Sequence, residues 1–407
     1  MFFEVKPRLP GDKTSPANIV GCDYSAAMKQ PNATWIARGR LESSILYIDS
    51  LENVGSDRLV DNLLGLENLL GPNNSSVNRP LCHQDELAKA ECSGLSDWII
   101  GLDFPFSFPA PFAKILLGTN PAYSSQTASN SPSWVDLATL VSGLPFEELL
   151  AQVQIAKPIM GGEVKRLTDN CTDPKAQSPL HQINPGMLKM TWQGMQLLLA
   201  LHKEGFAILP FATTAGISLS SPASNLPIRQ NPNSSGRAGS TQCCDNQRAE
   251  NPGKGAPHFR PAVMEVYPAA VLKSLCQPWR KYKGKDPEAK QLRQLILNNL
   301  SGRSNLTSHN SLRGNNNLAG QSDKLRSVNR IATALPELSL PPNLEQFALA
   351  SDDALDAVIA ALGAAIAYLN PSQTAPPRQI STDLIALEGW IYVPHPKTIE
   401  ATQEVMA

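Results

Sequence analysis

Charge is sparse in this sequence. Asp, Glu, Lys and Arg make up 17% of its 407 residues, below the roughly 25% usual for soluble domains. Lys and Arg number 35 against 36 Asp and Glu, a formal net charge of −1, which excludes a uniformly basic coat for nucleic acid. Long hydrophobic runs are missing too. The most apolar stretch, 354–369, is about one turn too short for a bilayer and is interrupted by Asp356, so no membrane helix is expected. Metal-type cysteine spacings are absent: Cys82-His83 with Cys92, and Cys243-Cys244, do not form the paired spacings of a zinc site. Seven cysteines, an odd count without a secretory leader, fit reduced thiols in a cytoplasmic protein rather than a disulfide scaffold.

The chain is long enough for a sizeable core without staples. Its 34 prolines, set against so little charge, point to long uncharged loops. The near-neutral total hides an uneven distribution: residues 251–330 carry an excess of ten positive charges and residues 331–407 an excess of seven negative ones.

Three β-rich runs within 18–50, NIVGCDYSAA, ATWIARGRL and SSILYIDSL, predict a three-stranded meander. Leu59, Leu63, Leu66 and Leu70 then recur at helical spacing, predicting a helix over 57–70, with a second short one over 85–90. The run DWIIGLDFP is apolar on both faces, as a strand covered by helices would be, and Phe104-Pro105 should end it. Helices over 135–154 and 190–204 precede two more strands, FAILPF and AVMEVYP. Residues 71–84 form a loop insertion. Segments 213–260 and 301–321, rich in Ser, Pro, Asn and Gly, bury too little to order themselves and are expected to be disordered insertions in a single domain spanning 18–395.

Three apolar runs each deliver an acid at or near a strand end: Asp23 in IVGCDYS, Asp103 in IIGLDFP and Glu265 in VMEVYP. A buried, unpaired carboxylate is costly, and ligands of open α/β sheets collect at strand ends, so these acids are expected to meet around something positive. In SDDALDAVIAALGAAIAYL, Ser351 can cap a helix running to Leu369, on which Asp353 and Asp356 share a face. Oxygen ligands without His or Cys suit Mg²⁺ or Mn²⁺. Two such ions about 4 Å apart can drive phosphodiester hydrolysis.

The ordered set GCDYSAA, IGLDFPFSFP, MEVYPA, KYKG with a later Arg, SDDALDAVIAALGAA and EGWIYVP resembles the DUF429 family of predicted ribonuclease H-like nucleases. The resemblance implies an α/β fold with a ribonuclease H-like mixed central sheet flanked by helices. It also implies a divalent-metal-dependent nuclease whose Asp23, Asp103, Asp353 and Asp356 hold Mg²⁺ or Mn²⁺. Glu265 joins them as a catalytic candidate from the motif particular to the family. The chain is longer than the family pattern, and Cys22-Asp23-Tyr24 stands where glycine-rich surroundings often follow the first Asp.

Nucleic acid, DNA or RNA, is the partner these features imply. The stretch Trp279-Arg280-Lys281-Tyr282-Lys283-Gly284-Lys285 interleaves aromatic and basic residues as a backbone-tracking, base-stacking surface would. Lys281, Lys283, Arg293 and Arg166 are the substrate-binding candidates. The bland reading of Arg166 is an ion pair at a helix edge, and that of Arg293 a surface role. Two other functions stay open: a nucleic-acid-binding module of the same fold without turnover, and an ATP-dependent phosphotransferase of the actin-like group. The latter wants glycine-rich phosphate loops, whereas SAAMKQ and FPFSFPAP follow the two aspartates and no GxxxxGK[ST] occurs.

Overall fold

The computed structural model describes residues 17–24, 34–55, 59–64, 98–120, 133–183, 186–211, 261–303, 335–377 and 379–394. They form a mixed α/β structure around a seven-stranded sheet. The meander is present: β1 (Ala17–Asp23), β2 (Thr34–Glu42) and β3 (Ile45–Val54) pair antiparallel in succession. A short helix, α1 (Leu59–Leu64), follows, and then β4 (Trp98–Asp103) lies parallel to β1. With β5 (Ala207–Ile208), β6 (Ala262–Glu265) and β7 (Glu337–Ser339) the order is β5-β6-β4-β1-β2-β3-β7. The pairs β4 with β6, β5 with β6 and β3 with β7 are parallel.

Helices cover both faces, which is why β1 and β4 show no polar side. Val20, Cys22, Ile100, Leu102 and Val263 face a core shared with α2 (Ala110–Thr119), α3 (Trp134–Gly143), α4 (Phe146–Met160) and α6 (Met187–Lys203). The five-residue α5 (Leu167–Cys171) lies between α4 and α6 in the chain. Ile19, Ala37 and Met264 face the opposite core, built with α7 (Pro268–Ser274), α8 (Pro287–Leu300), α9 (Pro342–Ala350) and α10 (Asp352–Leu369). Two short helices, α11 (Pro371–Thr374) and α12 (Thr382–Glu388), end the described chain. None of the described helices is long and apolar enough to cross a membrane.

The helix that matters most for the site is α10. Ser351 caps it, its hydroxyl accepting from Ala354 N at 3.2 Å, and Pro371 follows its last turn. It is buried from Ala354 to Ala367 because the sheet lies on one side and other helices on the rest. Its close approach depends on glycine. A Cβ on Gly21 would stand 2.1 Å from both Ala357 O and Ala361 N, and one on Gly101 would stand 2.6 Å from Ala360 O. Since these neighbours are backbone, they cannot turn aside. Gly21→Ala is therefore expected to lower stability by about 1–3 kcal/mol or more, as overpacking does, and to loosen the site above it. An unchanged urea midpoint would contradict the close contact.

Some boundaries differ from expectation. The single helix expected over 135–154 is two, α3 and α4, broken at Leu144-Pro145 because proline has no N–H to continue the helical ladder. The strand expected at FAILPF shortens to Ala207–Ile208, ending before Pro210. The remainder of the expected 57–70 helix, the expected helix at 85–90, and the insertions at 71–84, 213–260 and, from 304 onward, 301–321 lie outside the described residues.

Candidate functional site

Register decides which acids meet. In the parallel pair β1 and β4, Asp23 stands opposite Asp103 and Gly21 opposite Gly101, so all four project to the face covered by α10. Glu265, in β6, stands opposite Leu102 of β4. Glu265 therefore points to the other face, away from the two aspartates, although it ends a neighbouring strand.

The cap at Ser351 sets the phase of α10, so Asp353 and Asp356 lie near its N-terminal end. Ligand oxygens of Asp23, Asp103 and Asp356 lie within 4.8 Å of one another, and Asp353 is near enough to Asp23 to affect its ionisation. Asp356 is fully buried. Its Oδ1 accepts from the Tyr282 hydroxyl at 2.7 Å. Its Oδ2 makes no hydrogen bond of good geometry, its close cation being Lys283 Nζ at 2.6 Å. The side chain of Lys283 is otherwise 57% exposed, so it reaches in from the surface.

Electrostatics follow from this crowding. Burial, then Asp356, pushes the Asp103 carboxyl up to about 7. Burial, then Asp352 and Asp356, pushes Asp353 up to about 6, and Asp23 rises well above the usual carboxylate range through burial, Asp356 and Asp103. Lys283 opposes all three shifts. Because these folded-state values are raised, the native state holds more protons than the unfolded chain between about pH 4 and 7. The cluster's contribution is favourable at the acid end and is lost as pH rises through the folded values. The metal-free melting temperature is thus expected to fall more steeply over this window in the parent than in Asp103→Asn. Identical pH profiles in EDTA would refute the coupling.

Glu265 is built into a different assembly. Its Oε1 and Oε2 accept from Arg166 Nη2 at 2.6 Å and Nη1 at 2.8 Å, and Oε2 also accepts from Phe106 N at 3.0 Å. The same guanidinium donates to Asp169, Nη2 to Oδ1 at 2.7 Å. All three residues are buried. Beside them Glu388 accepts from Ala110 N at 2.6 Å and Leu167 N at 2.7 Å. This fastens α5, β6, the start of α2 and the end of α12 together.

Arg166 and Arg293, expected as substrate-binding candidates, are both buried, and for Arg166 the ion pair expected at a helix edge is present with Asp169. Arg166 cannot meet a phosphate, because its fork is consumed by Glu265 and Asp169. Arg293, 2% exposed, donates instead to the carbonyls of Leu349, Tyr282 and Gly284 at 2.9, 2.6 and 2.9 Å. It acts as a buried post that shapes the KYKG loop. Gly284 N donates to Asp352 at 3.1 Å, tying that loop to the first turn of α10. Lys281 is exposed, 3.9 Å from Glu288. Tyr282 went unnoticed as an Asp356 partner in the sequence, where the only signal was its place between two lysines.

Next to the carboxylates a cleft of about 320 Å³ opens between the start of α7 and residues 279–283, with Asp103 in its lining. The acid cluster itself suits a hard divalent cation. Every donor is oxygen, and all three lie within 4.8 Å of one another, near enough for a single ion to touch them together. Zinc-type thiolate or imidazole ligands do not contribute among these residues.

Fold and site together define an α/β protein whose parallel strand ends and one capped helix gather a buried acidic cluster. Residues 202–379 match the model of the DUF429 family, a family of unknown function. The matched stretch includes Glu265, Lys283, Asp353 and Asp356, while Asp23 and Asp103 precede it. No curated protein and no solved structure matches the chain.

Proposed function

We propose that this protein is a divalent-metal-dependent nuclease with a ribonuclease H-like domain, acting in the cytoplasm on the phosphodiester bonds of DNA or RNA through a carboxylate-bound two-metal site. The observation that carries the reading is the convergence of Asp23, Asp103 and Asp356, from three elements far apart in the chain, to within 4.8 Å at the ends of parallel strands. The meander followed by a parallel β4 and a capped late helix also supports the fold assignment. Asp23, Asp103 and Asp356 would hold Mg²⁺ or Mn²⁺, with Asp353 completing the set, and the ion would supply Lewis acidity and an activated water. The chain's own residues orient the donors: Tyr282 holds Asp356, and the Gly21 and Gly101 contacts hold α10 against the strands.

A second reading, a nucleic-acid-binding module without turnover, is favoured by one observation: Lys283 already places a cation on Asp356, as a purely structural cluster would require. Purified protein incubated with single- and double-stranded DNA and RNA should cleave at least one of them with Mn²⁺ or Mg²⁺ and stop in EDTA. Cleavage that persists in EDTA would overturn the metal site. Salt-dependent binding with no turnover under any metal would select the second reading.

A further inference from the structure

We propose that the cleft beside the carboxylates receives one unpaired nucleotide, so that the substrate class is single-stranded nucleic acid rather than an intact duplex. This rests on the nuclease reading for where the scissile phosphate lies, while the binding itself stands on the cleft. Its lining combines three aromatic rings, Tyr267, Trp279 and Tyr282, with three cations, Arg280, Lys281 and Lys283. Tyr282 is 1% exposed and it and Lys283 are engaged by Asp356, so Tyr267, Trp279, Arg280 and Lys281 are the groups left to a ligand, and rings beside cations suit one with a flat ring at one end and a negative charge at the other, which is the chemistry of a nucleotide. Asp103 is part of its lining, so a phosphate linked to the held base would reach the acid cluster.

The dimensions point the same way. About 320 Å³ is at the small end for ligand pockets and holds one base with its sugar, whereas a duplex would have to unpair to enter. The Trp279 ring already carries two cations, the Arg280 guanidinium at 4.1 Å and Lys273 Nζ at 4.9 Å from its centroid, and the exposed Arg280 can offer its donors to a phosphate. Tyr267, half-buried, belongs to the same lining. The loop that presents these groups doubles back through positive φ at Lys281 (61°) and Gly284 (115°) and is pinned from beneath by Arg293. The wall is therefore prearranged.

The test measures binding without turnover, in EDTA, by anisotropy of fluorescein-labelled oligodeoxythymidylate, oligouridylate and a hairpin duplex on the full chain. Single strands should bind about tenfold or more tightly than the duplex. Trp279→Ala should weaken single-strand binding about tenfold. Arg280→Glu, at an exposed position that does not endanger folding, should weaken it to a similar degree and flatten its salt dependence. Equal affinity for duplex and single strand, or parental binding by folded Arg280→Glu, would overturn the inference. Because no cleavage is read, a protein that binds single strands through Trp279 and Arg280 but never hydrolyses them would defeat the nuclease reading and keep the cleft. Metal-dependent cleavage with no single-strand preference would do the reverse.

Discussion

Asp23→Asn is expected to abolish divalent-ion-dependent cleavage, weaken Mn²⁺ binding by at least about tenfold, and raise the melting temperature of the metal-free protein. The three effects have one cause. Asp23 is only 9% exposed and faces Asp103 across the β1–β4 register and Asp356 on α10. Burial and these like charges push its carboxyl well above the usual range, so ionising it in the folded state is costly. An asparagine keeps the shape, removes the charge and brings an amide donor beside the neighbouring carboxylates of Asp103 and Asp356. The apo protein gains what the metal site loses. Calorimetric Mn²⁺ titration and thermal melts in EDTA read the two sides separately. Parental Mn²⁺ affinity in a folded Asp23→Asn protein would remove this residue from the site, and a lowered melting temperature would show that its carboxylate is held for stability instead.

The second large effect should come from Arg166, which is far from a substrate role. Arg166→Met leaves Glu265 and Asp169 as two buried acids sharing no cation, and removing one partner of such a set costs about 3–5 kcal/mol. For a protein of ordinary marginal stability this is a large share of the total, so the variant is expected to be mostly insoluble or to unfold at much lower urea. Arg166→Lys should recover little, since an ammonium cannot match two carboxylates with a planar fork. Adding Glu265→Gln and Asp169→Asn to Arg166→Met should restore part of the loss by removing the stranded charges. Arg280→Glu, on the surface, should shift stability by less than about 0.5 kcal/mol. If Arg166→Met were as stable as the parent, the buried ion triad would not be what joins α5, β6 and α12.

How legible this was in the sequence depends on the residue. Asp23 and Asp103 stood out because each ends a run apolar on both faces, where a charge demands a reason, and both now sit in the cluster. Ser351 announced the start of α10, and with it the shared face of Asp353 and Asp356. Glu265 carried the same kind of signal and was grouped with them. The error is one of parity: when both faces of a strand are buried there is no alternation to read, and only pairing with Leu102 turns Glu265 toward the opposite core. Arg166 and Arg293 carry two readings each in the sequence: the ion pair at a helix edge is present for Arg166, with Asp169, whereas the surface role for Arg293 is not, since it is 2% exposed. What the sequence does not display is the second acid on Arg166, Glu265, 99 residues away, and the backbone carbonyls that hold Arg293.

What the chain's order of residues determined unaided was local: the meander, the apolar strands with their terminal acids, the capped helix, and the aromatic and basic run at 279–285. These rest on propensity, patterning and capping, which act between neighbours in sequence. Tertiary structure decided which acids share a face, which cation answers which carboxylate, and that Lys283 and Tyr282 close over Asp356. Those choices depend on strand register and on how near α10 can come to Gly21 and Gly101, and both are settled by packing between segments that the sequence holds far apart.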